Sequence, residues 1–509
     1  MKKLHLMAWP KLCSALFLGA AALFMASCAK DGYDNDEKWE SAVRNSAVHN
    51  PTKEDISVTP TVDRKQTNIE WKVVQGAAKY DCKLYDVTDG KKEVLLDSIV
   101  DGISVLVPRV RNTYYLFTIR TIPDTSLGNW NEDEGATPKD FDSKLEIYAT
   151  IDGGADASSA VDLNAYFEKH PVPVESELSE IVYNMQAGKY YKVTKELNFG
   201  KSPGKPIMLR CEDESQRSYL TMGDDATGFI VPNSFTLEGL DITCGASTKP
   251  LITLNDAPHA SLIPTDVTQS TTYYRINNLN ITNCDIKGLV GSLMYDSGKQ
   301  YCVVGLTIDN LLLALNTTTD AIKSGSLLSF YGGGLKEFTI TNSTIYQTSA
   351  TGNPQYFLRY LNGARIDRYG YNTSESKYTP EKTKVTYYNS TFYKVLSGNW
   401  ANYDGLKDGN VIDVQKCIWV ECSGTSGEIA RRMYGKGQFS ENSSATWNYN
   451  TYVTSGAIKP QQNKDGSQIY DTGTQLQTLP GFADPDNGDF TISGGDQLTN
   501  KTGDPRWIK

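Results

Sequence analysis

Apolar and polar residues alternate in a short segment that recurs along the second half of the chain. Its clearest copy is FTITNSTI, residues 338–345, in which Phe338, Ile340 and Asn342 follow one another at intervals of two. Related copies begin at Leu240, Leu279, Leu306, Val385, Val411 and Ala445. Intervals of two put apolar side chains on one face of a strand, and Asn tolerates the left-handed backbone of a corner. Each copy therefore predicts a strand that ends in a bend.

Strands with corners, repeated at uneven spacing, are typical of a solenoid. Successive copies are roughly 25 to 50 residues apart, as in coils that carry loops of different length. The corner asparagines are expected to stack as an internal ladder of side-chain amides; they are Asn283, Asn310, Asn342 and Asn389. The pattern predicts an all-β protein whose larger part, residues 151–509, resembles a right-handed parallel β-helix of the pectate-lyase-like kind.

The start of the chain has the pattern of an export signal. Residues 1–27 combine basic residues with an apolar run, and MASC, residues 25–28, resembles a bacterial lipobox. The resemblance implies cleavage before Cys28 and lipidation of its thiol. Residues 28–50 form an acidic tether, similar to the signal that sends lipoproteins to the outer surface of some Gram-negative bacteria. The alternative is a secreted protein with an ordinary cleaved signal.

Composition narrows the choice of partners. The 509 residues carry a formal net charge of -10, which argues against nucleic acid as a partner. Tyr is the dominant aromatic residue, with 30 copies, and suits exposed β-structure with stacking groups. Seven of the nine cysteines lie outside the signal and the lipidation site, and no CxxC spacing occurs. Neither a zinc site nor a disulfide framework is indicated.

Residues 51–150 read as a small antiparallel β-sandwich. Alternating strands are predicted around residues 69–86 and 113–122, with a turn between the first two strands. The unit resembles a fibronectin type III domain, and the resemblance implies a spacer. The residues that carry it are Trp71, Gly76, Ala77, Tyr80, and Tyr114 or Tyr115.

The segment that follows is expected to cap the first coil. Residues 161–170 and 176–185 have helical spacing, and helices there would cover strand edges that otherwise invite aggregation. The chain ends in GDPRW, residues 503–507. This ending, with the order of lipobox, fibronectin-like unit and β-helix, resembles outer-membrane lipoproteins of unassigned function.

Residues for catalysis are sparse. Four histidines make a metal or Ser-His-Asp site improbable. A pectate-type lyase needs Arg or Lys with a cation such as Ca²⁺, and a β-helix hydrolase needs two or three carboxylates on adjacent coils. Asp241, Asp285 and Asp309 lie near strand ends, but their positions in the repeat differ, so we expect no shared site. No cofactor is predicted, and Ca²⁺ enters only if the protein is an enzyme.

One insertion between two good copies is rich in Tyr and Arg. Loops of adjacent coils tend to lie on the same side, so residues 355–372 and 398–410 are expected to form one wall of a groove. Aromatic rings stack on sugars, and Arg binds carboxylates or hydroxyls. The glycan-binding candidates are Tyr356, Arg359, Tyr360, Arg365, Arg368, Tyr369, Trp400 and Tyr403. The alternative is that the tyrosines belong to strands and the arginines only solubilise the insertion.

These observations favour a lipid-anchored surface protein of an outer membrane that faces the cell exterior. It would bind polysaccharide, pectin-like glycans included, for a glycan-uptake system with a transporter complex. One alternative is a lyase or hydrolase of uronate glycans, and a second is a structural or adhesive surface protein.

Overall fold

A computed structural model of the chain describes residues 43–509 with gaps. The gaps are residues 62–65, 111–112, 144, 174–175, 177, 179, 201–204, 214, 226–227, 265–272, 318–324, 349–353, 361–370, 373–376, 379–383, 396–398, 404–410, 423–427, 434–443 and 463–469. The described residues form two compact units, which divide between Leu145 and Glu146.

The first unit consists of two antiparallel sheets that share one apolar core. Strands β1–β9 are Ala47–Val48, Ile56–Pro60, Gln66–Trp71, Ala77–Asp86, Glu93–Val100, Ser104–Pro108, Tyr114–Pro123, Trp130–Asn131 and Thr137–Asp142. One sheet has the order β2-β3-β6 and the other β5-β4-β7-β9, while β1 pairs in parallel with β8. Both expected strand regions, around residues 69–86 and 113–122, are therefore found as strands.

Aromatic residues from both sheets meet in this core. Trp71 of β3 lies 5.3 Å from Tyr80 of β4, ring centroid to ring centroid, and 6.1 Å from Phe117. Of the two corner candidates, Tyr115 is the buried one, and its hydroxyl donates to the carbonyl of Val110 at 2.9 Å. Tyr114 is 43% exposed. Tyr115 thus ties the start of its strand to the preceding loop.

The second unit is a parallel β-helix built from three sheets. Sheet I contains ten strands: β10 Ala149–Ile151, β12 Ile181–Met185, β15 Ile207–Cys211, β18 Phe235–Glu238, β21 Tyr274–Thr282, β24 Tyr301–Asp309, β27 Gly334–Thr341, β32 Lys384–Tyr388, β35 Val411–Gln415 and β37 Ser444–Asn448. Sheet II contains β11 Val161–Asp162, β13 Tyr190–Val193, β16 Ser218–Met222, β19 Leu240–Thr243, β22 Asp285–Leu289, β25 Leu312–Leu315, β28 Thr344–Gln347, β33 Thr391–Tyr393, β36 Ile418–Val420, β38 Thr451–Thr454 and β39 Ala457–Ile458. Sheet III contains β14 Leu197–Asn198, β17 Phe229–Val231, β20 Ile252–Leu254, β23 Met294–Tyr295, β26 Ser326–Phe330, β29 Tyr356–Tyr360 and β34 Asn399–Tyr403.

The chain visits the sheets in turn, so one strand of each makes a coil. All pairings within the three sheets are parallel except the last one, β38 with β39. The hairpin of β30 Tyr371–Asn372 and β31 Lys377–Tyr378 is inserted between two coils. After β36, the helix α2, Ile429–Met433, packs against β34 where a further strand of sheet III would stand.

The recurring segment occupies the corner from sheet I to sheet II. Phe338 and Ile340 point into the core and are fully buried. Asn342 has a φ of 50°, and the other three asparagines of the set are also left-handed, with φ between 48° and 52°. The expected bend at each asparagine is therefore confirmed, and Lys416 and Tyr449 adopt the same conformation in later coils.

One copy of the repeat was assigned to the wrong strand. Leu240 begins β19 of sheet II, whereas the register partner of Leu279 in the preceding coil is Phe235. The true copy is thus FTLEGLDI, residues 235–242, with Gly239 left-handed at the corner. Since Gly replaces Asn there, the copy lacks the residue by which the repeat was recognised.

The corner asparagines do not form the continuous internal ladder that was expected. Asn310 Nδ2 donates to Asn283 Oδ1 at 2.9 Å, but Asn342 Nδ2 donates to Asp309 Oδ1 at 2.9 Å instead. All four side chains are only partly buried. The left-handed backbone conformation, more than amide stacking, accounts for Asn at these corners.

A single helix packs at the start of the β-helix. Helix α1, Leu163–Lys169, begins after Asp162, whose carboxylate accepts from the backbone N–H of Asn164 at 2.8 Å. Phe167 contacts Tyr183 and Phe199 of the first coils, at 5.0 and 5.3 Å between ring centroids. The second expected helix is wrong, because residues 181–185 form strand β12 with four of five side chains buried.

Residues after the last coil run back along the outside of sheet II; we call residues 470–509 the strap. It contains helix α3, Gly495–Asn500. Phe490 and Ile492 of the strap are buried against Tyr393, Ile418 and other outward residues of the later coils. The later part of sheet II is therefore covered on its outer face.

Candidate functional site

Trp400, the candidate from the second segment of residues 398–410, lies in the core. Its side chain is fully buried, its ring stacks on Phe357 at 4.6 Å between centroids, and its Nε1 donates to the Tyr387 hydroxyl at 3.1 Å. A glycan cannot reach this ring, so Trp400 was wrong as a binding candidate. The sequence pattern failed here because β34 points alternate residues inward, and Trp400 falls on an inward position.

The rest of that candidate surface is described only in part. Residues 356–360 and 399–403 were expected in insertions, but they form the neighbouring strands β29 and β34 of sheet III and so belong to the coils themselves. Tyr356 and Arg359 are half-buried, with the guanidinium 4.6 Å from the centroid of the Tyr356 ring. Outside the described residues lie Cys28, Arg365, Arg368, Tyr369, and the side chains of Tyr360 and Tyr403. Their roles stay predictions.

A second surface, which sequence reasoning missed, lies on the outer face of sheet II before the strap. Register places Tyr190, Tyr219, Asp241 and Asp285 in one row across four neighbouring strands. The residues that follow them in each strand are Tyr191, Leu220, Ile242 and Ile286, and all four are buried in the core. Strand alternation therefore turns the row outward.

The row borders an open cavity of about 560 Å³. The cavity is lined by Ala155, Gly188, Tyr190, Ser215, Gln216, Arg217, Tyr219 and Asp241. We call this cavity, together with the adjoining Asp285 and Lys287, the sheet II groove. The rings of Tyr190 and Tyr219 are stacked with centroids 4.7 Å apart and planes at 19°, and Tyr219 remains 39% exposed. The groove thus offers an aromatic surface beside polar side chains.

The charged side chains of the groove are arranged as two ion pairs. Arg217 pairs with Asp285, and its Nη2 also donates to Asn283 Oδ1 at 3.0 Å. Lys287 Nζ donates to both carboxylate oxygens of Asp241, at 2.9 and 3.2 Å. All four side chains have hydrogen-bonding capacity beyond these pairs, so they are able to bind hydroxyl groups of a ligand.

The expectation that the three aspartates occupy different positions in the repeat was wrong for two of them. Asp241 and Asp285 are direct register partners in sheet II. Asp309 lies apart, at the end of β24 in sheet I, where it accepts from Asn342 Nδ2. The misassigned copy at Leu240 concealed the register of Asp241, and FTLEGLDI aligned with LNITNCDI would have revealed it.

The strap sets one limit of the groove. Further along the same row, the outward residues Thr344, Thr391, Ile418 and Thr451 are all buried. Asp504 of the strap receives a 2.7 Å hydrogen bond from Thr344 Oγ1, and Arg506 donates to Asn310 Oδ1 at 2.6 Å. The open part of the face consequently lies on the earlier coils.

Across the described residues, no three His, Cys, Asp or Glu side chains come together as a set of metal ligands. The seven cysteines of that part of the chain are not joined in disulfide bonds. Among the helices the structure describes, none has the length and apolar content to cross a bilayer.

The fold and the groove define the class of protein: it is a parallel β-helix protein with an open groove, aromatic and polar, on one outer face. Three family models match parts of the chain, each described as a domain of unknown function: DUF4992 over residues 1–188, DUF4957 over 180–348 and DUF5123 over 385–507. No curated protein matches it.

One solved structure is similar to the chain, a pectate lyase PelI from Erwinia chrysanthemi in complex with tetragalacturonic acid. The identity is 10% and the TM-score 0.20, over 84% of this chain and 97% of that one. A TM-score this low assigns neither a site nor a reaction to this chain.

Proposed function

We propose that this chain is a surface lipoprotein that binds polysaccharide in its sheet II groove. The observation that carries the proposal is the stacked pair of Tyr190 and Tyr219 next to a row of charged side chains in an open groove. Sugar rings present apolar C–H faces that stack on aromatic rings, and their hydroxyl groups bond carboxylates and cations. This combination suits a glycan better than a protein or a lipid.

The rest of the proposal concerns the setting of this groove. The lipobox at Cys28 and the acidic tether support an anchor in the outer membrane that faces the cell exterior. The first unit, with sheets of three and four antiparallel strands and a tied Tyr115, supports a fibronectin type III-like spacer. Polysaccharide held at the groove would then be passed to a transporter complex of a glycan-uptake system.

Affinity electrophoresis of the mature protein in gels that contain plant and host polysaccharides tests the proposal. We expect retention by at least one glycan, and a clear loss of affinity for Tyr219→Ala, because this variant removes the more exposed ring of the stacked pair. Tyr219→Phe keeps the ring and should retain most of the affinity. Tyr331→Ala is the matched control, because Tyr331 is equally exposed at 39% and lies outside the groove.

Two outcomes of this experiment count against the proposal. Absence of retention by every polysaccharide would remove glycan binding altogether. Retention that survives Tyr190→Ala and Tyr219→Ala, and is lost on Tyr360→Ala or Arg365→Ala, would move the site to the insertion.

A lyase is the second candidate function, because Arg217 and the carboxylates of Asp241 and Asp285 face one groove. In such a reaction a base removes the proton beside a uronate carboxylate, and the bond to the leaving glycosidic oxygen breaks. Arg217 is held by Asp285, and Asp241 by Lys287, so these residues do not fit a calcium site as they stand. Unsaturated products, detected by their ultraviolet absorbance in reactions with and without calcium, would establish lyase activity.

A further inference from the structure

We infer that the sheet II groove selects uncharged glycans over uronate glycans, an inference that rests on the proposed function. The sheet II groove contains two cations and two carboxylates, namely Arg217 with Asp285 and Lys287 with Asp241. The groove therefore has no net positive charge with which to attract a polyanion.

Each cation of the groove already has a carboxylate beside it. Arg217 is fixed by Asp285 and by Asn283, and Lys287 by both oxygens of Asp241. A uronate carboxylate that bound one of these cations would lie beside the aspartate that already neutralises it, so the net electrostatic attraction would be small.

The two central carboxylates add a direct repulsion. Asp241 and Asp285 are register partners on adjacent strands, which lie about 4.8 Å apart. A third carboxylate brought into this row would face both of them. Uncharged sugars meet no such penalty, because their hydroxyl groups donate hydrogen bonds to carboxylates, and charge-assisted bonds of this kind are strong.

Stacking does not discriminate between the two classes of glycan. The Tyr190–Tyr219 pair offers its rings to the apolar face of a neutral or an acidic sugar alike. Selection must therefore come from the ion pairs. The same ring pair also allows the two proposals to be tested separately.

Isothermal titration with matched polysaccharides tests the inference. The probes are uncharged glycans such as galactan, arabinan and xyloglucan, and the same glycans after oxidation of their primary hydroxyl groups to carboxylates where such hydroxyls are present. Polygalacturonate is an additional acidic probe. We expect that an uncharged glycan binds and that its carboxylated form binds at least tenfold more weakly, with or without calcium.

A charge variant with a matched control identifies the residues responsible. Asp285→Asn leaves Arg217 without its carboxylate, so binding of polygalacturonate should rise several-fold at low salt and fall again at high salt. Asp256→Asn changes the net charge equally at an exposed carboxylate off this row and should leave the preference unchanged.

The outcomes separate the two proposals. Binding of acidic glycans as tight as that of uncharged ones, or made so by calcium, overturns the charge inference and leaves glycan binding in place. Absence of binding to any probe overturns the proposed function itself. An unchanged preference in Asp285→Asn would also contradict the inference, provided that this variant still binds the uncharged glycan.

Discussion

Asp296 is a fully buried carboxylate that organises a turn between two coils. It accepts backbone N–H bonds from Gly298, Tyr331, Gly332 and Gly333, at distances of 2.7 to 3.0 Å. Burial raises its pKa, and the four donors act in the opposite direction. A Cβ on Gly333 would lie 2.1 Å from the Tyr301 carbonyl oxygen, so only Gly permits this close approach.

Replacement of Asp296 is expected to destabilise the β-helix. Asp296→Ala leaves several backbone N–H groups buried without an acceptor, at a cost of about 1–3 kcal/mol or more. Thermal and urea unfolding measure the loss, and Asp256→Ala provides the control at an exposed carboxylate. Equal midpoints for the two variants would show that the four bonds contribute nothing to stability.

For individual residues, the sequence predicted backbone conformations better than side-chain contacts. Asn283, Asn310, Asn342 and Asn389 are left-handed as expected, because Asn tolerates that region on its own. Trp400 could not be placed in advance, because its burial depends on which alternate residues of β34 point inward. Asp296 gave no signal either, since three of its four partners reach it only when two coils stack.

The strap is the element that gives the β-helix contacts between distant coils. Its residues run along the corner between sheets I and II, from the last coil toward the earlier ones. Thr502 donates to the carbonyl of Tyr449, Gly503 to that of Lys416, and Asp504 to Thr391 Oγ1. Trp507 Nε1 then donates to Thr344 Oγ1 at 2.8 Å. One short segment thus binds four successive coils.

Docking of the strap is expected to depend on pH through Asp504. Burial raises the pKa of Asp504 to about 6, although Arg506 and Thr344 oppose the rise. A carboxyl whose pKa is raised in the folded state contributes stability that is fully present below its ordinary pKa, near 4, and is lost as pH rises through about 6. The change amounts to about 3 kcal/mol for a shift of this size.

Urea unfolding at a series of pH values measures this contribution. Asp504→Asn should be more stable than the wild type at pH 7, and its advantage should shrink as pH falls to 4. Asp486→Asn is a control in which the pKa shift has the opposite sign. The hydrogen bond from Lys394 lowers the pKa of Asp486, which lies at an exposed site. Parallel pH profiles for the wild type and Asp504→Asn would contradict the prediction.

Strands and helices were predictable from the sequence where a single segment carried a distinctive pattern of its own. The repeat located the strands of sheet I, but a copy with Gly239 at its corner was assigned to sheet II. Helix α1 was expected from its spacing, whereas residues 181–185 show that a short apolar run fits a buried strand equally well. The groove was missed because the row along it takes one residue from each coil, and such rows emerge only from the register.

At the scale of the whole molecule, the two units have separate apolar cores. One core surrounds Trp71, Tyr80 and Phe117, and the other runs the length of the β-helix. Each unit is large enough to fold as a domain. The order of an antiparallel unit followed by a solenoid was predictable, because period-two strands with turns and a corner repeat are different local patterns.

Two separate unfolding transitions are therefore expected in calorimetry. Fragments 43–145 and 146–509 should each reproduce one transition of the full chain, within a few degrees. Trp71→Ala creates a large cavity in the first core. It should lower the transition temperature of the first unit only, with a loss of about 3–5 kcal/mol in the free energy of unfolding of that unit. A single transition that both fragments fail to reproduce would show that the units unfold together.

The strap also bears on how the molecule folds. It follows every coil in the chain, so the coils can stack before the segment that covers Tyr393, Ile418 and Val453 is in place. During that interval an apolar face of four strands is open to water and to other nascent chains. A chaperone therefore has a defined surface to protect, and a chain that ends before Phe490 is expected to aggregate.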